Sequence, residues 1–462
     1  MTQGLVNDQI VTDDVIKALV STNNLQEQEK KQIFSLIEKQ ILSVTNTETI
    51  SDWNTFFESL LNGETIVLID GFDQAIATST VGGEKRPVSE PQTEVTIRGP
   101  RDSFTETLIT NTALIRRRIK NPHLWMEKHP VGKVNKTDVG IMYIKGIAND
   151  KIVDEVKKRL NRIDIDAIID SGQIEQLIED ETYSFFPTIY HTERPDVVAA
   201  NLLEGRIAIF IDGSPFVLTV PALFIEFFQA ADDYYMRYDV SLAIRLLRIM
   251  IFVISLTAPA VYIAITTFHQ EMIPTLMIIA IASQREAVPF PAFFEAFLME
   301  ITFEILREAG VRLPRSIGQA VSIVGALVVG QAAVDAGIVS PAMVIVVALT
   351  AIASFATPAF SMAISARIIR FLLMFLAAFM GMYGVFIGLM FMVLHLCSIR
   401  SFGIPYMSPL GPIIFRNIGD SIIRMPIWAH GTRPKLISQK NIERLGADQK
   451  PSPPDSNENP TG

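Results

Sequence analysis

The run Ile338–Ala366, IVSPAMVIVVALTAIASFATPAFSMAISA, contains no Asp, Glu, Lys or Arg. Three further windows share this property: Ile249–Phe268, Ile317–Val334 and Phe371–Ile399. A helix that crosses a bilayer core about 30 Å thick needs roughly 18 to 20 apolar residues, and each window reaches that length. Core helices of soluble proteins rarely stay uncharged for so long, so four windows within Ile249–Ile399 predict a polytopic α-helical membrane domain over 244–400.

The windows differ from one another. Ile249–Phe268 is interrupted only by Pro259, which a membrane helix tolerates. Ile273–Ala282 is apolar but too short to cross alone, and reads as a half-span or re-entrant piece. Phe290–Leu306 is long enough for a helix, yet it carries Glu295, Glu300 and Glu304, and carboxylates at such depth must face protein or water. Gly318, Ser322 and Gly325 fall on one stripe of small residues suited to close helix approach. Pro341 and Pro358 bracket one helix, since proline favours positions near helix ends. The last window holds Gly381, Gly384 and Gly388, and is either one long tilted helix or a hairpin broken at the glycines.

Outward from these windows, the net charge of -9 averages two unlike halves. Acidic residues concentrate before position 235, whereas Arg245, Arg248, Arg307, Arg312, Arg315, Arg367, Arg370 and Arg400 flank the spans. That distribution is a topology signal and not a nucleic-acid footprint. No basic run followed by an apolar one opens the chain, and basic flanks stay inside, so residues 1–243 are expected in the cytosol, with four to six crossings after them. Cys397 is the single cysteine, which excludes an intrachain disulfide.

The first 243 residues alternate strand and helix signals and predict an α/β region of two subdomains. Asp13–Ile50 reads as one or two amphipathic helices. Thr65–Ile69, the turn Asp70-Gly71 and Gln74–Thr78 form a hairpin signature. The same grammar returns 142 positions later in Leu202-Leu203-Glu204-Gly205, Ile207–Ile211 and Asp212-Gly213, through an ancient duplication or through two hairpins of one style. Between them Glu94–Arg98 and Val139–Ile144 read as strands, and Ser103–Lys120, Asp150–Arg159 and Ile174–Asp180 as helices. Ala222–Tyr238, aromatic and acidic, forms an elbow into the helical part. Residues 401–447 make a basic C-terminal segment broken by prolines, and 448–462 a disordered tail.

Catalytic chemistry finds little support. No phosphate-binding loop, dinucleotide fingerprint, cysteine pair or His-Glu-x-x-His occurs, and the six histidines are scattered. Neither a catalytic constellation, a cofactor nor a metal site is expected, and the chain does not read as an enzyme. Asp164, Asp166 and Asp170 read as a solvated acidic face, and Arg116-Arg117-Arg118 as a charged helix surface or subunit contact.

Several motifs occur in an order that carries a family resemblance: Glu90-Pro-Gln-Thr-Glu-Val95, Arg98-Gly-Pro-Arg101, Thr110-Asn-Thr-Ala-Leu-Ile-Arg-Arg-Arg118, Thr192-Glu-Arg-Pro-Asp-Val197, Ile211-Asp-Gly-Ser-Pro-Phe-Val-Leu-Thr219 and Arg285-Glu-Ala-Val-Pro-Phe-Pro291. Over about residues 60–430 the chain resembles the A subunit of the GerA-type spore germinant receptors. Ala287 stands where that pattern has glycine. The resemblance implies a protein of the spore inner membrane acting with a permease-like B subunit and a lipoprotein C subunit. It also implies a homo-oligomeric, pentameric ring that conducts monovalent cations when a nutrient binds. A secondary transporter or a membrane-anchored signalling protein is the alternative reading. No inverted repeat is visible for a transporter.

Two sets of residues follow as pore or gate candidates. Glu300 and Glu304 share a helix face and are expected to border a water-filled path or a subunit junction, the alternative being a helix at the membrane surface. Val344, Val347, Ala348 and Ala351 lie on one face of the helix Ala342–Phe355, where a ring of valines could close a narrow pore by dewetting. Ordinary helix packing predicts the same residues.

Overall fold

The computed structural model describes residues 4–20, 47–80, 93–313, 328–438 and 440–446, with a few isolated positions beside them. The small-residue stripe Gly318, Ser322 and Gly325, most of Asp13–Ile50 and the tail from 453 onward lie outside the described residues.

Two α/β units fill the first part. The smaller is a three-stranded antiparallel sheet of β1 (Thr47–Ile50), β2 (Thr65–Leu68) and β3 (Ala75–Thr78) in the order β1-β3-β2, with helix α1 (Trp53–Asn62) between its first two strands. Asp52 starts α1 by accepting the Thr55 amide, and Gly63, at φ 89°, ends it in the left-handed region that glycine enters at no steric cost. The larger unit is a five-stranded antiparallel sheet, β4 (Leu124–Val131), β5 (Thr137–Ile144), β7 (Ile207–Ile211), β8 (Val217–Val220) and β6 (Tyr190–Thr192), in that spatial order.

Alternation along its strands builds two cores. Ile141, Ile207, Ile209 and Leu218 pack with Ile152, Val156, Ile174 and Ile178 of α3 (Asp150–Asn161) and α4 (Ser171–Ile178). Met142, Ala208 and Phe210 face the other way, onto Leu108, Ile115, Val198 and Leu202 of α2 (Leu108–Arg118) and α5 (Pro195–Leu203). The sheet therefore lies between two helical layers, which explains why every residue of β7 is buried. The two expected hairpins, β2-β3 and β7-β8, both form.

Four readings in this part differ from the structure. Thr47–Ile50, the end of the segment expected as amphipathic helix, is strand β1, paired with β3. Glu94–Arg98 is not a strand, because its backbone is held by side chains: the Thr93 amide donates to Glu193, and Arg194 donates to the Glu94 carbonyl at 3.1 Å. The helix expected from Ser103 begins at Leu108, since the Asn111 side chain accepts the Thr105 amide at 2.7 Å and keeps 103–107 extended. The eight-residue strand β4 had no expected counterpart; its Glu127, Lys128 and His129 hide the alternation.

The elbow carries a 3-10 turn over Phe224–Phe228 and leads into α6 (Tyr238–Thr267), 30 residues with Pro259 inside. Helices α7 (Thr275–Arg285), α8 (Ala292–Arg312), α9 (Pro341–Ser354) and α10 (Phe360–Ser398) follow. By length and composition α6 and α10 can each cross a membrane, whereas α7 and α9 are shorter apolar helices. At 1.5 Å per residue α9 spans about 21 Å, less than the window Ile338–Ala366 suggests.

Of the two readings of the last window, the hairpin is the one adopted. Gly381 (φ 59°, ψ -141°) interrupts α10, and a Cβ on Gly388 would come within 2.5 Å of Leu373 and 2.9 Å of Leu376. Residues 15 apart in a straight helix are about 22 Å distant, so the two halves run antiparallel.

Candidate functional site

The chemistry of the helical part is concentrated on α8. Of its four glutamates, Glu308 pairs with Arg312 at the exposed end of the same helix, and the other three reach neighbouring helices. Glu295 pairs with Arg285 of α7 at 3.2 Å and accepts the Ser340 amide, at the start of α9, at 2.9 Å. Glu300 pairs with Arg370 of α10 at 2.7 Å, and both side chains are about 1% exposed. Glu304 meets Arg307 at 2.9 Å and Arg367 at 3.3 Å, and Arg307 also donates to the Ser354 hydroxyl at 2.9 Å. A carboxylate among apolar helices is costly unless paired; the ion pairs tie α8 to α7 and α10, and the hydrogen bonds with Ser340 and Ser354 tie it to α9. The central pair is incomplete, for Glu300 Oε1 and the Nε and Nη2 of Arg370 are buried without hydrogen-bond partners.

The apolar candidates come together beside this ladder. Val344, Val347, Ala348 and Ala351 of α9 line a groove of about 250 Å³ against Met299, Phe303 and Leu306 of α8. Val347 and Ala351 are buried, whereas Ala348 is exposed. The groove they line looks toward the helix bearing Glu300 and Glu304. Those two glutamates engage arginines of the same chain.

The α/β part grips the helices at three points. Asp233 of the elbow pairs with Arg245 at 3.2 Å and Arg248 at 3.0 Å at the start of α6. Ser365, near the start of α10, donates to the Phe185 carbonyl, and His395, near its end, is 3.0 Å from Ser184 Oγ. Beyond α10, Ser401 donates to the Thr188 carbonyl at 2.7 Å and accepts the Ala222 amide at 3.0 Å. One loop of the α/β part therefore holds both ends of the helical hairpin.

Arg245, Arg248, Arg367 and Arg370 were expected as flanks of the spans, and their pairing with Asp233, Glu300 and Glu304 was not. An arginine at the edge of an uncharged window looks the same in sequence whether it meets water or a buried carboxylate. The available signal was the count of glutamates in α8, each of which needed a cation. Of the other charged groups, Asp170 caps α4, Asp164 lies 2.6 Å from Lys133 on the surface, and Arg118 pairs with Asp102 at 2.6 Å. Among the described residues no group of three or more His, Cys, Asp or Glu could hold a metal ion.

Comparison with known proteins decides the family. The profile described as "Bacillus/Clostridium GerA spore germination protein" matches residues 1–436. The chain belongs to the GerA spore germination family. Spore germination protein KA of Bacillus subtilis (strain 168) is 57% identical over 97% of this chain and 82% of its own length. Spore germination protein A1 of the same organism is 42% identical over 94% of this chain and 88% of its own. The uncharacterized membrane protein YfkQ, also from that organism, is 45% identical over 98% and 88%. The crystal structure of the N-terminal domain of the A subunit of the Bacillus megaterium spore germinant receptor GerK3 is 45% identical, covering 48% of this chain and 80% of that one with a TM-score of 0.37. The family and these relatives are those that the motifs from Glu90 to Pro291 implied.

Proposed function

We propose that the chain is the multi-pass A subunit of a nutrient germinant receptor in the spore inner membrane, with residues 1–243 in the cytosol. Copies of it form a homo-oligomeric, pentameric ring that conducts monovalent cations once germinant is present, in company with a permease-like B subunit and a lipoprotein C subunit. The observation that carries this reading is the ionic ladder on α8. The pairs of Glu295 with Arg285, Glu300 with Arg370 and Glu304 with Arg367 bridge α8 to its neighbours, an arrangement suited to lipid outside and to a fixed polar interior within. The face Val344, Val347, Ala348 and Ala351 supplies a constriction without ionisable groups, which closes by dewetting.

Receptor complexes reconstituted in liposomes test the proposal. Germinant should raise potassium flux well beyond the rate of a saturable exchanger, and Val347→Ala should leak before germinant is added. Saturable exchange in place of channel flux overturns the conducting role. Normally assembled Val347→Ala and Val344→Ala receptors that stay shut place the gate elsewhere.

A further inference from the structure

A second cavity, of about 290 Å³, lies in the α/β part between α5, the elbow and the C-terminal segment. Its walls include Glu204 at the end of α5, Glu226 of the elbow, and Arg424 and Arg444 of the C-terminal segment. Two carboxylates there keep hydrogen-bonding capacity open. Glu226 is 5% exposed, and its Oε1 has no partner although the other oxygen is paired with Arg206. Glu204 stands 3.6 Å from Arg206 and 3.9 Å from Arg444, both beyond hydrogen-bond length. The arginines spend part of their capacity on carbonyls, Arg206 donating to that of Pro221 and Arg424 to those of Asp233 and Met425, while Arg206 Nε, beside Glu204, is buried without a partner. Burial pushes the carboxyl groups of Glu204 and Glu226 upward, a cost that a bound cation offsets.

Size narrows the ligand further. One water takes about 30 Å³, so this space suits a molecule of several heavy atoms rather than a bare ion. Tyr190 and Tyr235 add aromatic walls of the kind that favours organic cations, and Val197 and Leu445 supply apolar surface.

We propose that this cavity binds a small organic ammonium compound, its cationic nitrogen held between Glu204 and Glu226. The ligand then bridges α5, the elbow and the C-terminal segment, and so fastens the segment that follows α10 to the α/β part. Binding belongs to the single chain, so the proposal stands or falls apart from the conducting role.

The test is thermal melting of the full chain in detergent with n-butylammonium chloride as the probe, beside n-butanol, sodium butyrate and potassium chloride at matched ionic strength. Butylammonium alone should give a saturable rise in melting temperature. Glu204→Gln removes a charge-assisted bond and should weaken the apparent Kd about tenfold or more. Ala200→Trp, which fills the cavity without touching a charge, should abolish the rise. The concentration dependence is read within each variant, so a lower starting stability does not obscure it. No rise with butylammonium, an equal rise with butanol or potassium chloride, a rise with butyrate in its place, or unchanged binding in both variants overturns the site.

Discussion

Glu300 and Arg370 face each other with about 1% of each side chain exposed, so neither can exchange its partner for water. Removing one leaves a buried charge without a counter-ion, which costs about 3–5 kcal/mol, whereas replacing both with apolar residues of similar size is near neutral or stabilising. Arg370→Met should therefore prevent accumulation of folded chain, and Glu300→Leu combined with Arg370→Met should restore it, as read by size-exclusion chromatography in detergent. If the double variant folds but its receptor loses cation preference, the pair borders the ion path as well as holding the helices. Glu94 makes a different kind of prediction. Removal from water pushes its carboxyl up to about 7, and the neighbouring Glu193 adds to the shift against a hydrogen bond from Thr192. Between the ordinary value near 4.5 and about 7 the folded chain holds a proton that the unfolded chain has lost. The stability from this group is thus complete below about 4.5 and disappears as the pH rises through about 7. Glu94→Gln should flatten that part of the melting profile between pH 5 and pH 8, and an unchanged slope assigns the dependence to other groups.

At the scale of elements, the turn of α10 rests on one residue. Gly381 has φ 59° and ψ -141°, a region that other residues enter at about 1–3 kcal/mol, and a Cβ there would stand 2.8 Å from His269 Cε1. Gly381→Ala should lower the melting temperature, and adding His269→Ala should recover the part due to contact while leaving the backbone part. Full recovery would mean that the backbone angle carries no cost. The hairpin was legible in the sequence only as one of two readings, because glycine spacing is compatible with a tilted helix and with a reversal. The repeat 142 positions apart was more legible, and the structure extends it. Thr65 pairs with Thr78 and Ile207 with Val220, the same register in both hairpins, and each second strand also takes an earlier strand on its other side, β1 in the small unit and β6 in the large one. The shared order of strand, helix, strand and strand, with glycine-capped helices ending at Gly63 and Gly205, favours duplication over two hairpins of one style. Glu94–Arg98 was misread because β-branched residues look alike in a strand and in a segment pinned by side chains from a distant loop.

At the scale of the molecule, hydropathy marks out the long apolar helices, since charge-free length is a property of single segments, although the first of them begins at Tyr238, before its uncharged window. It could not locate the ion pairs or the cavity, because their members come from different elements, Glu300 and Arg370 being 70 positions apart and Arg245 and Asp420 175. The structure also orders the helices relative to the α/β part. The start of α6 and both ends of the α10 hairpin contact the α/β part, while the tip at Gly381 packs against His269 just past the far end of α6. If the α/β part is cytosolic, the tip lies near the opposite face of the membrane, and a labelling experiment follows. Cys397 is exposed and is first replaced by Ser. Cysteine is then placed at Tyr383, 72% exposed beside the tip, or at Tyr183, 97% exposed on the loop that holds both hairpin ends. An impermeant thiol reagent applied to intact cells should label Tyr383→Cys and spare Tyr183→Cys until the cells are opened. The reverse pattern would invert the orientation, and labelling of neither before opening, with both reacting after it, would mean that the hairpin does not cross.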